Sequence, residues 1–258
     1  MKLIDPRAII DPRASLADNV SVGPWSIIGP GVEIDEGTEV GSHVVIRANT
    51  RIGKHNKIYQ FASIGEDPAD KKFDGEETWL EIGSHNVIRE GATLHRGTGF
   101  GGGVTRIGNH NLLMPYVHVA HDCIVGDHGI FANNVGLSGH VEVGDWAVLG
   151  GYAGVNQFLK IGAHAMIGGM THISNDVPAY VIVSGTPPEA RSINAIGLER
   201  RGFDKNVVQQ IRKAYKIVYL KGFTLKEALE ELRPLAEQCP QVQVFVDSIL
   251  ASTRGIQR

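Results

Sequence analysis

The 258-residue sequence predicts an all-β parallel β-helix of triangular coils, followed by a small C-terminal α-helical region. An aliphatic or aromatic residue recurs at every sixth position over most of the chain. This period differs from the period of about 3.6 of an α-helix and of about 2 of a strand, and it is typical of hexapeptide-repeat β-helices. The repeat positions are Ile4, Ile10, Leu16, Val22, Ile28, Ile34, Val40, Ile46, Ile52, Ile58, Ile64, Ile82, Ile88, Leu94, Ile107, Leu113, Val119, Val125, Phe131, Leu137, Val143, Leu149, Val155, Ile161, Ile167 and Ile173.

Glycine supports a coil of three hexads, because it follows repeat residues at intervals of 18 positions. We expect these glycines to occupy tight corners, where glycine adopts backbone conformations that other residues avoid. The positions are Gly23, Gly41, Gly108, Gly126, Gly144 and Gly162.

The repeats predict a β-helical domain over residues 1–187, with roughly ten coils stacked ~4.8 Å apart. Two segments interrupt the register, at residues 66–78 and 95–106. Both are rich in turn-forming or charged residues, so they are predicted to be loops extruded from a corner. The second contains a glycine run but lacks a Gly-Lys-Ser/Thr ending and a following helix, so a phosphate-binding loop is not expected.

Helical periodicity replaces the hexads over residues 188–258 and predicts a helical domain. Thr224 and Glu227 form a capping-box pattern that predicts the start of a helix, and Gly222 is placed to end the helix before it. A further short helix is expected over residues 242–251. The first of these helices is predicted to bury one face, formed by Val207, Val208, Ile211, Tyr215 and Val218.

Composition limits the class of function. No apolar run reaches the roughly 18 residues that span a bilayer, and the N-terminus lacks the pattern of a secretory signal, so we expect a cytoplasmic protein without a membrane span. Cys123 and Cys239 have no metal-ligand spacing and are expected to be buried free thiols. From residue 191 onward the chain has 12 Lys and Arg against 7 Asp and Glu, which favours an anionic partner. No nucleic-acid motif is present, so nucleic-acid binding is not expected.

The segment from residue 114 to 140 carries the candidate catalytic residues. Positions one coil apart stack on the same edge, so His121 and Gly139 share one column, and Asp122 and His140 share the next. A solvent-facing histidine beside an aspartate can be held in one tautomer and act as a general base. The Gly139 N–H can face a developing oxyanion. Other residues on this edge are His118, Gln157 and Phe158.

Two other interpretations of these histidines are open. His118, His121 and His140 could bind zinc if their side chains converged on one point. Lone histidines on the corners of a β-helix are more often solvated, and this is the interpretation for His55, His85, His110, His128, His164 and His172. The sequence favours the general base over the zinc site.

Longer motifs identify a resemblance. They are HxxHDCxVG at residues 118–126, NNxxLxGHVxVxD at residues 133–145, DVPAYV at residues 176–181, GLxRRGF at residues 197–203 and STRGI at residues 252–256. Together they resemble the UDP-N-acetylglucosamine acyltransferase family. The resemblance covers the whole chain, including both loops and the helical end.

The resemblance implies a left-handed β-helix and a homotrimer with active sites between subunits. It also implies an activity, the transfer of an (R)-3-hydroxyacyl group from acyl carrier protein to the glucosamine 3-hydroxyl of UDP-N-acetylglucosamine. This reaction is the first step of lipid A biosynthesis, and the family needs no metal or tightly bound cofactor.

By position, the resemblance implies that His121 is the catalytic base, Asp122 its orienting partner and Gly139 the oxyanion donor. Gly169 is expected to limit the length of the acyl chain, although a corner could also require glycine there. Arg200 and Arg201 are expected to contact the nucleotide and the acidic carrier protein. Substrate contacts are implied at Asp70, Lys72, His118, His140, Asn156, Gln157, Asn194, Arg200 and Arg201.

Three positions depart from the usual pattern of the family. Asn156 replaces a common histidine, Ala69 a common glutamine and Ile196 a common glutamate. All three lie on the acceptor side, so a related UDP-sugar such as a 3-amino analogue is an alternative acceptor. A zinc-dependent carbonic anhydrase-like protein and a non-catalytic paralogue that binds nucleotide sugars are further alternatives.

Overall fold

Along the coils, each strand pairs with the strand that comes three strands later in the chain, and this pattern builds three sheets. The description rests on a computed structural model that covers residues 3–258. The start predicted for the β-helical domain, at residue 1, lies outside the described residues. Where no loop intervenes, paired residues are one coil of 18 positions apart, as in His118 with Gly136 and Gly136 with Gly154. The predicted β-helix of hexapeptide coils is confirmed.

The strands are short because each face of a coil is short. In chain order they are β1 Leu3–Ile4, β2 Ile9–Ile10, β3 Ser15–Leu16, β4 Ser21–Val22, β5 Ile27–Ile28, β6 Glu33–Ile34, β7 Glu39–Val40, β8 Val45–Ile46, β9 Thr50–Ile52, β10 Lys57–Ile58, β11 Ser63–Glu66, β12 Trp79–Ile82, β13 Val87–Ile88, β14 Thr93–His95, β15 Val104–Ile107, β16 Leu112–Leu113, β17 His118–Val119, β18 Ile124–Val125, β19 Ile130–Phe131, β20 Gly136–Leu137, β21 Glu142–Val143, β22 Val148–Leu149, β23 Gly154–Val155, β24 Lys160–Ile161, β25 Met166–Ile167, β26 His172–Ile173, β27 Val181–Ser184 and β28 Glu189–Ile193.

The first sheet contains β1, β4, β7 and every third strand up to β25, followed by β27 and the antiparallel β28. The second sheet runs from β2 to β26 and the third from β3 to β24. The stacked triangular coils form a prism with one sheet on each side and a column of turns at each edge. The turns that follow strands of the first sheet form the first corner. The turns that follow strands of the second and third sheets form the second and third corners.

The repeat side chains fill the interior of the prism. From Leu16 to Ile173 every predicted repeat position is buried. Ile4 is 36% exposed, because the first coil has no coil beneath it to cover its interior. Full burial of one such side chain contributes about 1.5–3 kcal/mol, so the stack supplies most of the hydrophobic stabilisation of this region.

The reason predicted for the spaced glycines is wrong. Left-handed backbone does occur at the corners, but at other residues, and Gly108 and Gly23 have ordinary φ values. A Cβ atom on Gly108 would lie 2.6 Å from the carbonyl oxygen of Gly126, and one on Gly23 would lie 2.7 Å from the carbonyl carbon of Gly41. The close approach of successive coils therefore requires glycine at these positions.

Two loops leave the coils near each other. The first loop (residues 67–78) joins β11 to β12, and the second loop (residues 96–103) joins β14 to β15. The second loop contains a short 3-10 helix at Gly99–Gly101. It is shorter than the predicted segment 95–106, because residues 104–106 pair with β12 as part of β15.

The helical region begins after β28. Its helices are α1 Ala195–Arg200, α2 Lys205–Leu220, α3 Leu225–Gln238 and α4 Pro240–Leu250. The predicted capping box of Thr224 and Glu227 is confirmed, and Gly222 has the left-handed conformation expected at the end of α2. The sequence did not predict β28 or α1, which are short and carry no clear periodicity.

Asp176 fastens the end of the chain to the last coils. Its carboxylate accepts hydrogen bonds from Lys160 N at 2.8 Å, Ser252 Oγ at 2.7 Å and Thr253 N at 3.0 Å. Such bonds to a charged acceptor are strong, so they hold the segment around Ser252 against the last coils.

Two further features concern the cysteines and the helices. Cys123 and Cys239 are buried free thiols, as predicted. No helix within residues 3–258 combines the length and apolarity needed to cross a membrane.

Candidate active site

The second corner brings together the residues predicted to stack. His140 N donates a hydrogen bond to His121 O at 3.0 Å, and Phe158 N donates one to Gly139 O at 3.1 Å. The rings of His140 and Phe158 stack with centroids 4.3 Å apart. The two predicted columns are confirmed.

His121 and Asp122 form a hydrogen-bonded pair. His121 Nδ1 lies 2.8 Å from Asp122 Oδ2, and the Asp122 side chain has no exposed surface. A buried carboxylate of this kind fixes the proton on Nδ1 and leaves Nε2 free to accept a proton. This is the arrangement that a general base requires.

The prediction that His121 faces solvent is wrong. Its side chain is only 11% exposed, because the two loops fold over the second corner. Asp70 of the first loop places Oδ2 3.7 Å from His121 Nε2. Gly101 of the second loop lies so close to the Asp122 carboxylate that a Cβ atom there would overlap it. The pair is therefore shielded from bulk water.

Gly139 lies directly against the imidazole. A Cβ atom at this position would lie 2.6 Å from His121 Nε2, so no larger residue fits. Within residues 3–258 the Gly139 N–H donates no hydrogen bond, and the same holds for Gln157 one coil later, so the free N–H is a property of this turn. Because Gly139 also packs against the His121 imidazole, its N–H is a candidate oxyanion donor.

The two neighbouring histidines have lowered basicity. Burial lowers the pKa of His118 to about 4, and Thr93 Oγ1 lies 2.7 Å from its Nδ1, so His118 is a neutral hydrogen-bonding group near neutral pH. Burial also lowers the pKa of His140, although Asp122 acts in the opposite direction. His118 is therefore suited to hydrogen bonding and is a poor candidate for the base.

Asp70 and Lys72 join the site through the first loop. Asp70 Oδ1 accepts a hydrogen bond from Lys72 N at 2.8 Å, and Lys72 Nζ lies 5.8 Å from the centroid of the Phe100 ring. Phe100 in turn packs near His140, with ring centroids 6.4 Å apart. The structure therefore brings both predicted loop residues to the second corner.

Asn156 and Gln157 lie farther along the same corner. They line an open cavity of about 440 Å³ together with Arg254 and two serines. The Arg254 guanidinium stands 5.4 Å from the centroid of the Phe158 ring. Arg254 was not predicted, because it reaches this corner from the end of the chain.

Asn194, Arg200 and Arg201 do not join this cluster. They line a cavity of about 820 Å³ between the helices and the outer face of the first sheet. Asn194 caps α1 by accepting a hydrogen bond from Gly197 N at 3.2 Å, and Arg201 Nη1 lies 3.0 Å from His164 Nδ1 on the third corner. Within one chain these residues are separated from His121 by the third sheet.

Gly169 is also separate, because it lies on the first corner. Its φ is not in the left-handed region, so a corner conformation does not require glycine there. A Cβ atom would lie 3.2 Å from Gly151 O, a tight contact that small shifts can relieve.

The residues that could bind a metal ion at the second corner are not the three histidines that the sequence suggested. His121, Asp122 and His140 place one potential ligand atom each within 4.8 Å of one another, and His118 is not part of this group. Because His121 Nδ1 and Asp122 Oδ2 already bind each other, the geometry fits a base and its partner better than a zinc site.

Sequence reasoning missed the residues that support the pair. Thr98 N and Thr98 Oγ1 donate to Asp122 at 2.9 and 2.6 Å, and Thr105 Oγ1 accepts from Asp122 N at 2.7 Å. The glycine run around residue 98 was the available signal, but a period of 18 residues gives no information on where a loop folds.

The stacked hexapeptide coils, with a histidine–aspartate pair at one corner, place the chain among the hexapeptide-repeat acyltransferases. A family model described as bacterial transferase hexapeptide matches residues 104–139, and one described as UDP N-acetylglucosamine O-acyltransferase, domain 2, matches residues 176–257. The chain belongs to the UDP-N-acetylglucosamine O-acyltransferase family.

Individual relatives match over the full length. An acyl-[acyl-carrier-protein]–UDP-N-acetylglucosamine O-acyltransferase of Stutzerimonas stutzeri is 60% identical, with 100% of both chains covered. The structure of LpxA from Acinetobacter baumannii is 51% identical with a TM-score of 0.97, covering 99% of this chain and 100% of that chain. A UDP-N-acetylglucosamine O-acyltransferase of Moraxella catarrhalis is 49% identical with a TM-score of 0.98 over the same shares. Superposition at this level preserves handedness, and the coils are left-handed.

Proposed function

We propose that this protein transfers an (R)-3-hydroxyacyl group from acyl carrier protein to the 3-hydroxyl of UDP-N-acetylglucosamine, the first step of lipid A biosynthesis. The observation that carries the proposal is the buried His121–Asp122 pair, 2.8 Å apart, with Gly139 against its free nitrogen. Relatives that are 55–60% identical bear the name of this activity.

The proposed reaction is a single acyl transfer. The oxygen of the sugar hydroxyl forms a bond to the thioester carbonyl carbon while His121 Nε2 takes the hydroxyl proton. The Gly139 N–H then binds the oxyanion that forms on the carbonyl oxygen. When the C–S bond breaks, the imidazolium returns the proton to the departing thiolate. A positioned base typically supplies about 10²–10⁴-fold and one oxyanion donor about 3–4 kcal/mol.

The sugar is proposed to bind between the first loop and the second corner. Asp70 and His140 lie beside His121, and Lys72 contacts Asp70 and Phe100. Together with His118, their hydrogen-bonding groups are proposed to discriminate between hydroxyl patterns. The names of the relatives support a hydroxyl acceptor and give no support to a 3-amino sugar, despite Ala69, Asn156 and Ile196.

A complete site is proposed to need two chains, within a homotrimer. Arg200, Arg201 and Gly169 lie on parts of the prism that do not face His121 of the same chain. The outer face of the first sheet also carries an apolar strip that a second copy would cover, formed by Leu112, Ile130, Val148, Met166 and Ile182. We propose that Arg200, Arg201 and Gly169 of a neighbouring chain supply the nucleotide and acyl contacts of each site, and that the protein acts in the cytoplasm.

The assembly can be tested by complementation. Inactive His121→Ala chains are mixed with Arg200→Glu chains, unfolded and refolded together. Recovered activity supports sites shared between chains, whereas activity equal to the average of the separate variants contradicts them. Light scattering of the wild type then gives the number of chains.

The reaction itself is tested with a panel of hydroxyacyl carrier proteins and UDP-sugars, with products identified by mass. An O-acylated UDP-N-acetylglucosamine is expected. A product formed only with a 3-amino sugar, or no product with any pair, contradicts the proposal.

A further inference from the structure

The carboxylate of Asp122 is held by a residue outside the predicted site. Thr98 N donates to Asp122 Oδ1 at 2.9 Å, and Thr98 Oγ1 donates to Oδ2 at 2.6 Å. His121 Nδ1 bonds the same Oδ2 at 2.8 Å. A fully buried carboxylate is costly unless such donors satisfy it, so Thr98 fixes the oxygen that orients His121.

The glycine run of the second loop makes this contact possible. Gly101 packs on the carboxylate with no room for a side chain, and Gly102 and Gly103 have φ values of +105° and +80°. Left-handed backbone of this kind is open to glycine at little cost. The loop therefore acts as a cover that brings Thr98 onto Asp122.

Glu76 ties this cover to the first loop. Its Oε1 accepts a hydrogen bond from Gly99 N at 2.8 Å, and its Oε2 accepts one from Asp74 N at 2.8 Å. These bonds lower the pKa of Glu76, which is therefore ionised near neutral pH. One carboxylate thus joins the residue next to Thr98 to the loop that carries Asp70 and Lys72.

We propose that Thr98 is a positioning residue that sets Asp122 and, through it, the imidazole of His121, and that Glu76 couples this support to the sugar-binding loop. The inference rests on the proposed function, because it assumes that His121 is the base. It predicts that the two loops act as one unit on the catalytic pair.

The decisive variant is Thr98→Val, which keeps the shape and the backbone donor but removes the hydroxyl. The turnover number kcat is expected to fall about 10-fold to 100-fold, the usual effect of losing a hydrogen bond to a charged group. KM for the UDP-sugar is expected to stay within about twofold, because no sugar contact is lost. Thr98→Ser restores the hydroxyl and is expected to keep kcat within about threefold of wild type.

Thr78 provides a matched control. It is a fully buried threonine of the first loop, and its Oγ1 has no hydrogen-bond partner within residues 3–258. Thr78→Val makes the same chemical change without removing a hydrogen bond, so kcat and KM are expected to match wild type. A loss equal to that of Thr98→Val would overturn the positioning role.

Glu76→Ala tests the coupling and remains informative if Thr98→Val does not fold. Loosening both loops is expected to lower kcat and to raise KM for the UDP-sugar, each by about 3-fold to 10-fold. Wild-type kinetics in Glu76→Ala would overturn the coupling. Wild-type kcat in Thr98→Val with an inactive His121→Ala would overturn the positioning role alone, whereas an active His121→Ala would overturn the proposed function.

Discussion

The second and third corners of the prism both carry histidines, yet they use them differently. On the third corner His55, His85, His110 and His128 occupy the left-handed position of successive turns, and their rings stack with centroids 4.8–5.1 Å apart. On the second corner Asp122 takes that position, and His121 precedes it by one residue.

A shift of one residue changes what each imidazole can do. In the left-handed position the ring lies flat on the ring of the next coil, and His140 behaves in the same way toward Phe158. One residue earlier, the ring of His121 stands at 90° to that of His140 and reaches the Asp122 carboxylate. The interpretation of the third-corner histidines as solvated residues on corners therefore missed their stacking.

The largest expected difference between the corners is catalytic. His121→Ala is expected to lower kcat by at least ~10²-fold, because the general base is lost. His85→Ala, the control on the third corner, removes an exposed ring from the stack and is expected to leave kcat unchanged. Steady-state assays with circular dichroism as a folding check compare the two. Equal losses of kcat in the two variants would contradict a catalytic role that is specific to His121.

The next effect concerns the arginines at the end of α1, near the third corner. Arg200 lines the 820 Å³ cavity and is exposed, so Arg200→Glu is expected to raise KM for the acyl donor or nucleotide about 10-fold through lost attraction. Added salt should reproduce part of this rise in the wild type. Arg233→Glu makes the same charge change on α3 and should have little effect. Kinetics insensitive to salt would argue against binding by charge.

The first corner gives a smaller effect, on chain-length preference. Gly169→Met would add a long side chain at the first corner, where the acyl tail is proposed to bind, at a position whose φ lies outside the left-handed region. Each methylene excluded from burial is worth about 0.8 kcal/mol, or roughly a fourfold change in preference. Competition between long and short hydroxyacyl donors measures the change, and activity on the short donor is the internal control. An unaltered preference in an active variant would refute the role of Gly169.

The smallest effect is expected at His164, where the third corner meets Arg201. Burial, followed by the Arg201 charge, lowers the pKa of His164 from 6.5 to about 4, and its Nδ1 faces Arg201 Nη1 at 3.0 Å. Asp145 acts in the opposite direction. Because the unfolded chain takes up the proton first, this group costs stability as the pH falls from 6.5 towards 4.

His164→Gln cannot titrate but can still accept a hydrogen bond from Arg201. The decrease in Tm between pH 7 and pH 5 is expected to shrink by on the order of 2 °C, a modest value because the ring is only half-buried. His172→Gln, on an exposed histidine of the second sheet, is the control. Identical decreases in all three proteins would contradict a neutral His164.

The sequence by itself determined the coil. A period of six residues selects one side chain per face for burial, and an 18-residue coil then places His121 beside Gly139 and Asp122 beside His140 by arithmetic. The same local logic predicted the capping box at Thr224 and the end of α2 near Gly222. These features depend on short stretches of chain and on one repeated geometry.

Only the tertiary structure decided how the second corner is covered. The loops break the register, so no period indicates that Thr98 bonds Asp122 or that Asp70 approaches His121. The exposure expected for His121 was wrong for this reason. Contacts made by loops and by the chain end depend on where these segments fold back onto the prism, and that position is set by hydrogen bonds such as those to Asp122 and Asp176, between residues that no repeat relates.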